Sequence, residues 1–175
     1  MPSVTYDGND SNYKSNPTGL PVGSAASTFY VVAYRDSTSG CHGLFGWGAN
    51  AYNGSRISSG QCDGMLQAES QGMGSPTVSI SANVPFIFSF PYAAGSNYSA
   101  VSTYLNGVLV TGASYNGVPN VINPVSEISI GRPPTVAIER WTGAVAEVIT
   151  FNTTHNDTTR QGVEAYLAAK YGISI

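Results

Sequence analysis

The sequence predicts an all-β protein, a two-sheet antiparallel sandwich that ends in one short helix. Two observations lead to this prediction. Up to Phe151, short β-like runs alternate with turns rich in Gly, Pro, Asn and Ser, which is typical of a sandwich. From Asn156 to Tyr171 the pattern becomes that of an amphipathic helix. The 175 residues, 1–175, form a single domain that is large enough to bury a core.

The strands are predicted from alternation and from the turns between them. Apolar side chains occupy both faces of Ser27 to Arg35, which indicates a strand covered on both sides. In residues 99–112, Asn106-Gly107 predicts a type I′ hairpin turn between Val101–Leu105 and Val108–Val110. The other predicted runs are 42–48, 55–60, 64–70, two within 77–90, 127–131 and 143–151.

The C-terminal helix has recognisable start and stop signals. Either Asn156 or Thr158 can cap its first turn, and Thr158 with Gln161 has capping-box spacing. Gly172 stands where a glycine ends many helices. We expect one stripe to pack against the sandwich and close an open end of it. That stripe consists of Val163, Tyr166, Leu167, Lys170 and Tyr171.

Charge and hydropathy exclude two classes of partner. Only 10% of the residues are charged, against about 25% in an average domain, and the net charge is −3. The seven Lys and Arg residues are scattered, so we expect no nucleic-acid partner. No apolar run approaches the roughly 18 residues that span a bilayer, and we expect neither membrane insertion nor a signal peptide at the start.

Several segments resemble the concanavalin A-like, laminin-G-like jelly-roll superfamily of microbial and bacteriophage surface proteins. They are "VTYDGND", "STFYVVAY", "HGLFGWG", "TYLNGVLV", "ISIGR" and "WTGAVAEVITFNTTHNDTTRQGVEAYLAAKYGI". The resemblance covers almost the whole chain. It implies a jelly roll whose first and last strands pair, with a binding surface in the loops or on the concave face. It also implies that Trp141 is a core residue and that Glu147 is a structural carboxylate near the paired termini.

A glycosidase of this fold needs two suitably spaced carboxylates. Related hydrolases carry Glu-x-Asp-x-x-Glu on one strand, and this sequence has no such stretch. Glu69 and Glu139 could meet across a cleft, but no spacing requires it. No nucleophile accompanies His42 or His155. We therefore expect no enzyme and no catalytic residue.

A metal site is considered at "DGNDSN", where Asp7, Asn9 and Asp10 offer the oxygen donors that calcium favours. The spacing of an EF-hand loop is missing, and Asp-Gly-Asn is common in turns. We favour a turn, and we assign no metal site and no cofactor, with calcium as the alternative.

Cys41 and Cys62 are the only cysteines. If 43–48 and 55–60 form a hairpin in which Gly48 pairs with Ser55, the two cysteines face each other at its open end. Neighbouring strands bring opposed Cβ atoms close to disulfide distance, so we predict a bridge; free thiols are the alternative.

Ligand contacts are expected from exposed aromatic and polar side chains near loops, because aromatic faces stack on sugar rings. The candidates are Trp47, Tyr52, Tyr92, Tyr98 and Arg132.

These points together predict a non-catalytic surface binding or decoration module. The resemblance favours an accessory protein on a bacteriophage virion. The alternative is a carbohydrate-binding domain or glycosidase of a secreted microbial protein. The expected partners are capsid or tail proteins or a surface glycan, at the virion surface or outside the cell. A homo-oligomer is compatible with either reading.

Overall fold

A computed structural model describes residues 2–9, 13–15, 18–48, 54–58, 64–70, 73–114, 127–132 and 139–175, with the backbone alone at 14, 54–58, 70 and 73. It confirms a two-sheet antiparallel jelly-roll sandwich with one helix. The strands are β1 (Val4–Asp7), β2 (Tyr13–Ser15), β3 (Ser27–Arg35), β4 (Gly43–Gly48), β5 (Gly54–Ser58), β6 (Met65–Ser70), β7 (Met73–Gly74), β8 (Val78–Ser79), β9 (Phe86–Tyr92), β10 (Tyr104–Leu105), β11 (Val108–Leu109), β12 (Glu127–Ile130) and β13 (Thr142–Phe151). A 3₁₀ turn spans Tyr98–Ala100, and helix α1 spans Asp157–Tyr171.

The strands form two sheets that pack face to face. The first sheet has the order β1-β13-β3-β9-β10-β11, and the second has the order β2-β12-β4-β5-β6-β7, with β8 also paired to β6. β1 pairs antiparallel with β13, Val4 opposite Val145, so the pairing of first and last strands that the resemblance implied is confirmed.

The central strand β3 explains why the first sheet is covered on both faces. Phe29, Val31 and Ala33 point into the core between the sheets. Tyr30 and Val32 point to the opposite face and belong to a second apolar cluster under α1. The prediction of a strand buried on both sides is confirmed, since side chains alternate between the two faces of a strand.

The hairpin between β10 and β11 has the predicted turn. Asn106 and Gly107 both have positive φ angles, 49° and 77°, as a type I′ turn requires. Each paired arm is two residues long, shorter than the sequence pattern indicated.

Helix α1 begins and ends where the sequence predicted. Of the two N-cap candidates, Asn156 is the one used, and its side chain accepts a hydrogen bond of 2.9 Å from the Thr159 backbone N–H. Gly172 terminates the helix in the left-handed conformation, with φ 67°.

The prediction that the helix closes an open end of the sandwich is wrong. α1 lies on the outer face of the first sheet, where Leu167 packs with Tyr30, Val32 and Ile87. The helix buries these apolar outer-face side chains, which would otherwise be exposed to water. Tyr166, assigned to the buried stripe, is exposed.

Polar contacts fix the helix on this face. Lys170 Nζ and the Tyr171 hydroxyl donate to Glu147 at 3.0 and 2.9 Å, which makes Glu147 a structural carboxylate. At the first turn, Arg160 pairs with the buried Glu164. Burial alone would lower the pKa of Arg160, but its hydrogen bonds and charge interaction with Glu164 outweigh that effect and raise it. In the described part of the chain, no helix is long and apolar enough to cross a bilayer.

A candidate ligand-binding face on the second sheet

The outer face of the second sheet carries a group of hydrogen-bonding side chains. On β12, Ile128 and Ile130 pack against the core, so Glu127 and Ser129 lie on the opposite face. On β6, Leu66 and Ala68 are core residues, so Gln67 and Glu69 lie on that same outer face. Together with Arg132, these four residues are called the polar face below.

The β12 side of the polar face is held by a folded-back arginine. Arg132 follows the strand, and its guanidinium donates to Glu127 at 3.0 Å. Ser129 Oγ donates to the Arg132 backbone oxygen at 2.8 Å. The Arg132 side chain thus folds back along β12, and its guanidinium lies beside the Glu127 carboxylate.

The β6 side has an amide next to a carboxylate. Gln67 Nε2 donates to Glu69 Oε2 at 3.0 Å. Gln67 is fully buried, and its Oε1 accepts no hydrogen bond from the described residues. A buried acceptor of this kind is costly unless something donates to it.

Strands β4 and β5 separate the two sides, and β4 presents glycine to the polar face. Phe45 and Trp47 are in the core, and Gly46 pairs with Ser129 while Gly48 pairs with Glu127. β6 and β12 are three strand spacings apart, about 14 Å. β4 therefore adds no side chain to this strip of the sheet, its residues are buried, and polar groups stand on β12 and β6 at both margins.

Access to this strip differs along its length. Ser129 and Gln67 are fully buried, whereas Glu69 and Glu127 are half-buried. A ligand therefore reaches the polar face from the end where these two carboxylates lie.

Three of the predicted aromatic contacts are core residues. Trp47, Tyr92 and Tyr98 are buried, and their rings pack with Phe29 and Phe90. The expectation that they are exposed is wrong, because strand alternation turns Trp47 and Tyr92 toward the apolar interior and the 3₁₀ turn places Tyr98 there. Trp47 Nε1 finds its acceptor in the backbone oxygen of Pro21, at 3.1 Å.

The other predicted contacts have different outcomes. Arg132 lies on the polar face, although it is buried and paired rather than exposed. Tyr52 lies outside the described residues. Trp141 is fully buried, as the resemblance implied.

The two histidines serve local structure. His42 Nδ1 contacts the backbone oxygen of Arg140, and its Nε2 lies 3.0 Å from that of Ser39. His155 Nδ1 shares a hydrogen bond of 2.8 Å with the Tyr30 hydroxyl beneath α1. Burial lowers the pKa of His155.

The predicted turn near the start of the chain is confirmed for its described part. Asp7 accepts hydrogen bonds from the backbone N–H and the side-chain amide of Asn9. Asp10 lies outside the described residues, and calcium binding stays a prediction. Among the described residues, no three His, Cys, Asp or Glu side chains are grouped as a metal site requires.

The β4–β5 hairpin forms with a different register from the predicted one. Gly48 pairs with Gly54 instead of Ser55, and a bulge between Gly43 and Phe45 shifts the register again. Cys41 is disulfide-bonded. Cys62 lies outside the described residues, so the Cys41–Cys62 pairing stays a prediction.

Comparison with known proteins identifies the fold. No protein-family model matches the chain, and no curated protein matches it significantly. Among solved structures, a heptameric SAP-like pentraxin from Limulus polyphemus has a TM-score of 0.66 at 12% identity, covering 93% of this chain and 81% of its own. The CBM40 of the Ruminococcus gnavus IT-sialidase has a TM-score of 0.65 at 10% identity, covering 94% and 97%.

A third similar structure is a domain of an extracellular arabinanase. It is domain 4 of AbnA, a GH43 extracellular arabinanase from Geobacillus stearothermophilus, in complex with arabinotriose, with a TM-score of 0.64 at 18% identity over 93% of this chain and 76% of its own. At these identities the likeness concerns the fold alone. The chain therefore has a lectin-like jelly-roll fold.

Proposed function

We propose that this protein is a non-catalytic carbohydrate-binding domain and that its polar face takes the glycan. The observation that carries the proposal is the polar face itself. Carboxylate, amide, hydroxyl and guanidinium groups flank strands β4 and β5, and β4 carries glycine at Gly46 and Gly48 on this face.

The chemistry of this face suits sugar hydroxyls, each of which both donates and accepts hydrogen bonds. Glu69 and Glu127 supply acceptors, and Gln67 and Arg132 supply donors. Gly46 and Gly48 add no side chain to this face, but both are buried, so the sugar is placed at the half-buried Glu69 and Glu127. The width of about 14 Å accommodates a short oligosaccharide.

The similar structures add support at the level of fold. The Ruminococcus gnavus domain, which is matched over nearly its whole length, has also been solved with α2,3-sialyllactose bound. The arabinanase domain holds arabinotriose. Both are binding domains attached to enzymes, which favours this role over that of a hydrolase.

The hydrogen-bond partners of the two carboxylates favour a binding role over hydrolysis. Glu69 and Glu127 project from backbones that are about 14 Å apart, and each carboxylate accepts a hydrogen bond from a neighbour on its own side of the face. The backbone oxygen of Glu139 accepts from Gly43, at the far end of β4 from Glu127. Glycosidases use two carboxylates about 5–9.5 Å apart that both face the substrate, whereas here Glu127 is engaged by Arg132 and Glu69 by Gln67.

The test measures binding of α2,3-sialyllactose, lactose and arabinotriose by titration calorimetry. We expect at least one sugar to bind weakly, and Glu69→Ala to weaken that binding by about tenfold, as for loss of a charged hydrogen bond. Glu147→Ala is the matched control, because Glu147 is also a half-buried, hydrogen-bonded glutamate but lies on the other sheet. Equal affinity in the native protein and Glu69→Ala would refute the assignment of this face. Release of reducing sugar that disappears in Glu69→Gln would refute the non-catalytic role.

The location of this domain, on a virion or outside a cell, is a separate hypothesis. The sequence resemblance suggested a bacteriophage particle, and the similar structures named above include an extracellular enzyme domain but no bacteriophage protein. Binding to virions that survives excess free sugar would favour a capsid or tail partner. Binding to cells that free sugar abolishes would favour a surface glycan.

A further inference from the structure

An apolar groove runs along one edge of the sandwich. It lies between the β10–β11 hairpin of the first sheet and strands β6 and β8 of the second, and its volume is about 580 Å³. Met65, Val78, Leu105, Val108, Leu109 and Val110 provide its apolar surface. Among the described residues, none that lines it carries a charge.

The strand beside the groove is an unprotected edge. β11 stands at the end of the first sheet's order and pairs only with β10 among the described strands. Its side chains are exposed, Val108 by 68% and Leu109 by 50%. Edge strands in monomeric proteins commonly carry charges, prolines or bulges that prevent pairing with another chain, and β11 carries none of these.

The absence of charge extends far beyond β11. The 57 residues from Ser70 to Ser126 contain no Asp, Glu, Lys or Arg. All charged side chains of this chain, which has a net charge of −3, therefore come from outside that segment. The described residues that line the groove therefore offer a strongly charged partner no complementary group, and the charged Asp157 and Arg160 lie beside Tyr104 on the α1 side of the hairpin.

We propose that a second copy of this chain covers the edge, with β11 of one copy antiparallel to β11 of the other across a two-fold axis. Two copies of equal net charge repel each other over most of their surfaces, and this edge lets them meet without opposing like charges. A two-fold contact is self-complementary, so each residue of β11 lies near its own counterpart in the other copy. Val108 shares the core-facing side of the hairpin with Leu105 and packs toward the groove, and Leu109 shares the opposite side with Tyr104.

Side-chain burial must provide most of the stabilisation in this dimer. β11 is two residues long, so main-chain pairing across the axis adds few hydrogen bonds. A specific interface buries on the order of 1,000 Å² or more, which the two grooves and the neighbouring hairpins have to supply together. The dimer joins two six-stranded sheets into one continuous sheet.

Sedimentation velocity over a concentration series tests the proposal. The native protein should approach twice its monomer mass of 18.2 kDa. Val108→Lys and Leu109→Lys should each remain monomeric at every concentration, because the two-fold axis sets two new lysines near each other. Val22→Lys is the matched control: Val22 is an exposed valine away from the groove, and this variant should dimerise like the native protein.

A cross-linking variant checks the geometry without relying on loss of association. Val108→Cys should form a covalent dimer on mild oxidation, and Val22→Cys should not. Because Val108 is exposed, neither of its substitutions should change the melting temperature at concentrations where the native protein is monomeric. A native protein that is monomeric at all concentrations would overturn the proposal. So would dimers of Val108→Lys and Leu109→Lys that are as tight as the native one, or a Val108→Cys variant that cross-links no faster than Val22→Cys.

Discussion

Replacing Leu167 with alanine should lower the free energy of unfolding by about 3 kcal/mol. Leu167 is fully buried between α1 and the outer face of the first sheet. Removing three carbon atoms from this site costs about 2.4 kcal/mol in transfer free energy, and a cavity adds to it, within the range of about 2–5 kcal/mol seen for buried leucines. The helix is a single covering layer that can settle onto the sheet, so we expect a value in the lower half of that range.

Urea denaturation and thermal melting of the Leu167→Ala variant provide the measurement. For a chain of this length, 3 kcal/mol corresponds to about 6–12 °C in melting temperature. Tyr166→Ala is the control on the adjacent position, because Tyr166 is 54% exposed and should change the free energy of unfolding by less than about 0.5 kcal/mol. If both variants lost the same stability, or if Leu167→Ala lost less than about 1 kcal/mol, the helix would not be a packed part of the core.

Two more predictions concern His155 and the cysteines. Burial lowers the pKa of His155 below its ordinary value of about 6.5, so the unfolded chain binds a proton more readily and the free energy of unfolding should fall as the pH drops below about 6.5. Denaturation curves between about pH 7 and about pH 5.5 should show a smaller decline for His155→Gln than for the native protein, and equal declines would contradict this reading. Mass spectrometry of untreated protein should show no alkylated cysteine and a mass lower by two hydrogens, as a Cys41–Cys62 bridge requires; alkylation of both residues without reductant would exclude the bridge.

The features that the sequence predicted well depend on neighbours in the chain. The Asn106-Gly107 turn requires two positive φ angles, which this dipeptide adopts at low cost. The cap at Asn156 and the stop at Gly172 depend on the residues of one helical turn. The alternation in β3 predicted burial on both faces without any knowledge of what covers each face.

The features that were missed depend on partners far along the chain. The β4–β5 register differs because a bulge at Gly43 to Phe45 and the pairing of Gly48 with Gly54 are fixed by packing across the sheet. The helix position followed from the apolar outer faces of β3 and β9, which the sequence pattern showed but did not assign to α1. The polar face could have been predicted from the sequence. Polar and apolar residues alternate in "MLQAES" and "EISI", and in "GLFGWG" a glycine follows each of the two core aromatics, Phe45 and Trp47.

The burial of the aromatic candidates changes the kind of recognition to expect. Trp47, Tyr92 and Tyr98 fill the core, and the exposed ring of Tyr13 lies at the second sheet's edge on the Ile130 side, away from the polar face. Among the described residues, the polar face therefore offers hydrogen bonds rather than stacking. A stacking platform tolerates many sugars, whereas a site of buried hydrogen-bonding groups strongly rejects an analogue that lacks a needed hydroxyl, since its own groups are then left unpaired. Glycan binding by this domain should accordingly depend on the presence and orientation of individual hydroxyls more than on the size of the apolar ring face.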